Sequence, residues 1–130
     1  MLTLFAVPRA FKGEMVRIQR NAIRSWIALR PRPEILLCGQ DEGVAAACQE
    51  FGLRHVGPVA TSPSGAPILS DVFALAERVA KNDLLCYVNA DIILTADLPR
   101  VIEITRRQAP GALLACTPAD MQIEDDLNTE

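Results

Sequence analysis

The residues best placed to do chemistry are Asn89 and Asp91, which close the apolar run Leu84-Leu85-Cys86-Tyr87-Val88 and are followed by Ile92, Ile93 and Leu94. In extended backbone, side chains two positions apart point to the same side, so this amide and this carboxylate converge on one ligand. Hard oxygen donors of this kind suit magnesium or manganese. One or two protein groups hold such an ion together with the oxygens of a diphosphate. The plainer alternative is that both residues shape a turn at a strand end, and spacing alone does not separate the two.

The other reactive types are less promising. Cys38, Cys48, Cys86 and Cys116 stand far apart in apolar segments with no Cys-x-x-Cys pair, and His55 is the one histidine. This pattern reads as buried reduced thiols rather than a disulfide framework or a zinc site. Pairing Cys38 or Cys86 with His55 for nucleophilic catalysis is weaker than a structural role for a histidine in a short strand.

The elements that must position Asn89 and Asp91 follow from periodicity and punctuation. Leu2 to Val7 reads as a short strand ended by Pro8, which has no N–H to give a ladder. From Glu14 to Leu29, Met15, Ile18, Ala22, Ile23, Trp26 and Ile27 recur at helical spacing, and Pro31 and Pro33 stop the helix. Glu34 to Cys38 is a strand without alternation, as expected where both faces are covered. A helix from Glu42 to Phe51 follows, stopped by Gly52, then a brief strand at Arg54 to Val56. Residues 57–67 (GPVATSPSGAP) form the longest irregular connection and the best candidate for a ligand-covering loop. Ile68 to Lys81 resumes a helical pattern, and the strand Leu84 to Val88 leads into Asn89. A last helix from Leu98 to about Gln108, capped by Asp97, precedes a possible strand at Ala112 to Cys116.

Strands alternating with helices imply right-handed crossovers and hence a three-layer α/β/α domain with a mostly parallel sheet, Rossmann-like in architecture. Residues 1–117 make that domain, and residues 118–130, rich in Asp and Glu, read as a disordered acidic tail. In such sheets ligands bind beyond the carboxyl ends of the strands, here near Val7 and Pro8, Gly39 to Asp41, and Asn89 to Asp91.

The net charge of −3 hides an asymmetry, since residues 1–32 carry seven Arg or Lys against Glu14 alone. Arg17, Arg20 and Arg24 lie opposite the apolar stripe of their helix, so they read as a solvated face rather than a nucleic-acid contact. The acids Glu124, Asp125 and Asp126 read as solvated charge too. No apolar run is long enough to cross a bilayer and no export signal opens the chain, so a cytoplasmic location is expected. A dinucleotide-binding turn would need a Gly-x-Gly-x-x-Gly after the first strand, where only Gly13 stands, and a phosphate-cradling P-loop is absent.

Across roughly residues 1–117 the chain resembles the nucleotide-binding half of a GT-A glycosyltransferase of the family 2-like kind, the nucleotide-diphospho-sugar transferases. Members carry an Asp-x-Asp-type motif at the end of the strand after the third helix, and Asn89-Ala90-Asp91 stands there. The resemblance implies a divalent cation, manganese or magnesium, with Asp91 as its ligand and Asn89 as a weaker contact to the ion or the ribose. It implies a nucleotide-diphospho-sugar cradled by Val7, Pro8 and Arg9, with Gln40 and Asp41 near base or ribose. Gly65 and Asp71 match the segment whose helix start faces the sugar nucleotide. Asn89 replaces the first carboxylate of the motif, and the Arg-Asn pair common in family 2 enzymes is missing at Ser70 and Asp71. The chain stops where such enzymes continue into the half that binds the acceptor and supplies the base, so a homodimer over the exposed sheet edge is expected. The competing expectation is a non-catalytic nucleotide-binding or assembly module with the same fold.

Overall fold

The computed structural model describes residues 1–128. In chain order they form β1 (Leu2–Ala6), α1 (Glu14–Ile27), β2 (Glu34–Cys38), α2 (Val44–Phe51), β3 (Arg54–Val56), α3 (Leu69–Val79), β4 (Leu84–Tyr87) and α4 (Asp97–Gln108). The strands make one parallel sheet in the order β3-β2-β1-β4, with Phe5 opposite Leu36 on one side and Tyr87 on the other. The expected α/β architecture is present, with every strand pair parallel.

Strand alternation divides the side chains between two cores. Leu4, Ala6, Ile35 and Leu37 face α1 and α2, where they meet Ala22, Ile23, Trp26, Val44 and Cys48. Phe5, Leu36, Cys38 and Val56 face α3, against Val72 and Ala76. Because both faces are covered, β1 and β2 are apolar almost throughout. Burying a side chain such as Ile23 or Phe5 contributes roughly 2 kcal/mol, and the largest of them sit on the central strands and α1.

Several boundaries differ from the sequence reading. The second helix starts at Val44 rather than Glu42, because Gly43 has φ +85, outside the helical region. Its Cβ, if it had one, would lie 2.6 Å from Cβ of Phe11, so this position needs glycine on two counts. The expected strand at Ala112 to Cys116 does not form, and those residues are exposed. The physical reason is α4, which buries no residue and so does not carry the chain back across the sheet as a crossover helix would. Residues 109–128 have no helix or strand, yet the tail is tied at one point to Asn21 of α1. Residues 129 and 130 of the expected tail lie outside the described residues. Among the described residues no helix is long and apolar enough to cross a membrane.

The thiols and the basic row also depart from expectation. Cys38 and Cys48 are buried, which pushes each thiol up to about 11, but Cys86 is half-buried and Cys116 is exposed. Arg20 is not simply solvated. It makes a two-bond pair with Glu50 and lies 5.1 Å from the Phe51 ring centre.

Candidate functional site

The order in which strands are added to the sheet reverses at β1, with β2 and β3 to one side and β4 to the other. From β1 the chain passes through α1 to β2 and then through α2 to β3 on one side, and α3 returns it across the sheet to β4 on the other. In parallel sheets the crevice at such a reversal is where ligands gain access to the carboxyl ends of two strands at once. Val7, Pro8 and Arg9 leave β1 there, and Asn89, Ala90 and Asp91 leave β4. The Val88 N–H donates to the Phe5 carbonyl at 3.1 Å, extending the β1–β4 pairing one residue beyond Tyr87.

Helix α1 holds both exits in place through polar groups on its inward side. Gln19 is fully buried, and its amide both accepts from the Arg9 N–H (2.7 Å) and donates to the Arg9 carbonyl (2.9 Å). On the β4 side the Trp26 indole donates to the Ile92 carbonyl at 2.9 Å, and the Leu94 N–H donates to Ser25 Oγ at 3.0 Å. The Phe11 N–H donates to the Glu42 carbonyl at 2.8 Å, tying the loop after β1 to the loop after β2. Sequence reasoning passed over Gln19 and Ser25. The signal was available, since both interrupt the stripe of Met15, Ala22, Ile23 and Trp26, and a polar group on a buried helix face must find a partner.

Asn89 and Asp91 do come out on the surface together, but not through extended backbone. The strand ends at Tyr87, and residues 89–92 form a turn closed by the Ile92 N–H on the Asn89 carbonyl at 3.1 Å. Ala90 points into the core beside Val88, which leaves its two neighbours exposed. Among the described residues neither side chain has a hydrogen bond or ion pair. The Tyr87 hydroxyl is pushed above its ordinary value by burial first, then by the Asp91 carboxylate and by Cys38. The Tyr87 ring packs at 5.6 Å from Phe5 and 5.7 Å from Phe73 on the α3 face.

The remaining candidates divide. Gln40 and Asp41 are exposed beyond β2, one strand away from the reversal. Val7 is close to the β2 exit, since a Cβ on Gly39 would meet Val7 at 3.6 Å and Val59 at 3.9 Å. His55 Nε2 lies 2.6 Å from the Gly39 carbonyl and so carries the proton, a structural role. Gly65 and Asp71 belong to the β3–α3 connection. That connection is internally bonded, with Ser62 N–H to Ala66 O and Ile68 N–H to Ala60 O, each 2.8 Å. Asp71 accepts the Ala60 N–H at 2.9 Å, so one carboxylate oxygen is spent fastening this loop. Val7, Arg9, Asn89 and Asp91 thus border the reversal, Pro8 and Ala90 between them are buried and do not face a ligand, and Gly65 and Asp71 serve the loop beside it.

For a divalent cation the donor set fits in chemistry: Asp91 supplies an unspent hard carboxylate, Asn89 an amide oxygen, and magnesium commonly takes one or two such groups plus phosphate oxygens. Among the described residues no three His, Cys, Asp or Glu side chains gather as a self-sufficient metal cage. A cavity of about 320 Å³ lies between α1, residues 93–96 and residues 127–128, and neither Asn89 nor Asp91 lines it. No protein-family model matches the chain, and no curated protein matches it in sequence.

Proposed function

We propose that this chain is a glycosyltransferase-like domain that binds a nucleotide-diphospho-sugar with a divalent cation at the β1–β4 reversal and transfers the sugar to an acceptor hydroxyl. The observation that carries the reading is the exposed Asp91 carboxylate, free of protein hydrogen bonds among the described residues, in the turn beyond β4 where the strand order reverses. Asp91 and Asn89 hold the ion, Arg9 offers a positive charge at the β1 exit, and Gln40 and Asp41 stand toward base and ribose. When bound, the ion neutralises charge on the departing nucleoside diphosphate. The acceptor oxygen bonds the anomeric carbon as the bond to the diphosphate breaks. The acceptor site and the base that takes its proton come from a second copy or a further segment.

One observation favours a second reading, a nucleotide-binding module that performs no transfer. Asp71, the acid at the start of α3, is engaged with the Ala60 N–H rather than open to a sugar. Calorimetric titration of UDP and GDP, with and without manganese, tests the site. Metal-dependent binding that disappears in a folded Asp91→Ala chain supports it, and equal binding by that variant removes Asp91 from it. Incubation with a panel of nucleotide sugars then separates the readings, because a module releases no nucleoside diphosphate.

A further inference from the structure

The basic face of α1 and the acids near residue 125 are far apart in sequence, and they meet in the structure. Asn21 is 3% exposed, and backbone groups engage both ends of its amide. Nδ2 donates to the Asp125 carbonyl at 2.9 Å, and the Leu127 N–H donates to Oδ1 at 2.7 Å. Bonding the carbonyl of one residue and the N–H of the residue two further on is what a residue in a parallel ladder does to its neighbour strand. The Asn21 amide thus holds the backbone on both sides of Asp126, whatever the side chains there. Side chains add the selection. Asp126 Oδ1 lies 3.9 Å from Arg24 Nη1. Leu127 is half-buried and forms one wall of the cavity beside α1, opposite Ser25, Ala28, Leu29, Ile93 and Leu94. Between Ala109 and Asn128 only Ile123 and Leu127 are even half-buried, so the docked stretch is short and its tether, residues 109–122, is exposed.

We infer that the Asn21 face of α1 is a docking site for an acidic peptide segment ending in acid-leucine, occupied in cis by residues 125–127. The site has the parts peptide capture needs: a buried amide for backbone, an arginine for an acid, and apolar residues beside the leucine. A flexible tether through residues 109–122 spans about 20 Å on average. It gives the tail an effective concentration on the order of millimolar, so a partner segment of the same chemistry displaces the tail only when it binds better or exceeds that level.

The test uses the full chain and a synthetic peptide of residues 120–128. As peptide is added, amide NMR signals of residues 123–128 move to random-coil positions, with half-displacement near millimolar peptide and no effect from a scrambled sequence. Arg24→Glu weakens the peptide at least fivefold, and a peptide carrying Asp126→Arg recovers most of that loss. Asn21→Ala frees the tail without any peptide. Should that buried substitution unfold the chain, Asp126→Arg and Leu127→Ala, both outside every helix and strand, free the tail while the rest of the spectrum is unchanged. A concentration-dependent dimer with tails docked in exchange supports the same site. Tail signals that stay docked in Asp126→Arg and Leu127→Ala, or that move equally with the scrambled peptide, overturn it.

Discussion

At the amino ends of the strands a carboxylate is spent on three donors, and at the carboxyl ends four polar side chains among the candidates have no partner among the described residues. The Glu34 side chain, 9% exposed, accepts from Thr3 Oγ1 (2.7 Å), the Lys81 N–H (2.8 Å) and Arg54 (2.6 Å). Arg54 also donates to the Val79 carbonyl, and Asn82 donates to Thr3 Oγ1 at 3.1 Å, so this knot binds β1, β2, β3 and the turn before β4. Across the sheet Gln40, Asp41, Asn89 and Asp91 are exposed, with no side-chain hydrogen bond among the described residues. A buried carboxylate with three donors stabilises the fold that supplies them, whereas an exposed one with none keeps its capacity for whatever binds.

The largest test of that contrast is Glu34→Ala, expected to lower unfolding stability by about 3 kcal/mol, because three donors lose a charged acceptor. Urea unfolding followed by the fluorescence of Trp26, the chain's one tryptophan, measures it. A loss as small as that at an exposed site would erase the difference between the two ends. Gln19→Ala comes next, at about 2 kcal/mol, since it orphans both backbone groups of Arg9. If the exit of β1 positions a ligand, the same variant weakens nucleotide binding more than Asp41→Asn does.

Acid sharpens the comparison further. Burial, the largest influence on the Glu34 carboxyl, pushes it up, but the Lys81 N–H, the Thr3 hydroxyl and Arg54 together hold it below its ordinary value. A lowered folded pKa means that this stabilisation is complete above the unfolded value of about 4.3 and is lost as pH falls through the folded one. Glu34→Gln therefore shows a shallower fall in stability on the acid side than the natural chain. The smallest effects belong to the carboxyl ends. Asp41→Asn and Asp91→Asn change stability by no more than about 0.5 kcal/mol. Asp91→Asn also lowers the pH at which Tyr87, the chain's one tyrosine, ionises, because a nearby negative charge is gone. An unchanged phenolate titration would separate Asp91 from Tyr87 and weaken the placement of the site.

Much of the fold was legible because its signals are local. Trp26 and Ile23 fall on one helix face by spacing alone, Glu34 to Cys38 lacks alternation because both its faces are covered, and Gly52 closes α2 as a left-handed cap. Asn89 and Asp91 were found by type and place, although the geometry that exposes them together is a turn around buried Ala90. Asp71 was legible only as an acid at a helix start. Its bond to Ala60 depends on how residues 57–68 fold back, which periodicity does not encode.

From the residues alone came the kind and order of the elements through α4, though not the absence of a fifth strand, and the carboxylate beyond β4. These follow from side-chain spacing, proline and glycine, which constrain a backbone within a few residues. Only the tertiary structure decided that β4 lies beside β1, that Gln19 and Trp26 hold the two exits of the crevice, and that Asn21 takes the tail. Those choices join groups 10 to 106 positions apart. They are settled by which buried polar group can reach a partner once the apolar faces have packed, a condition on the whole chain rather than on any stretch of it.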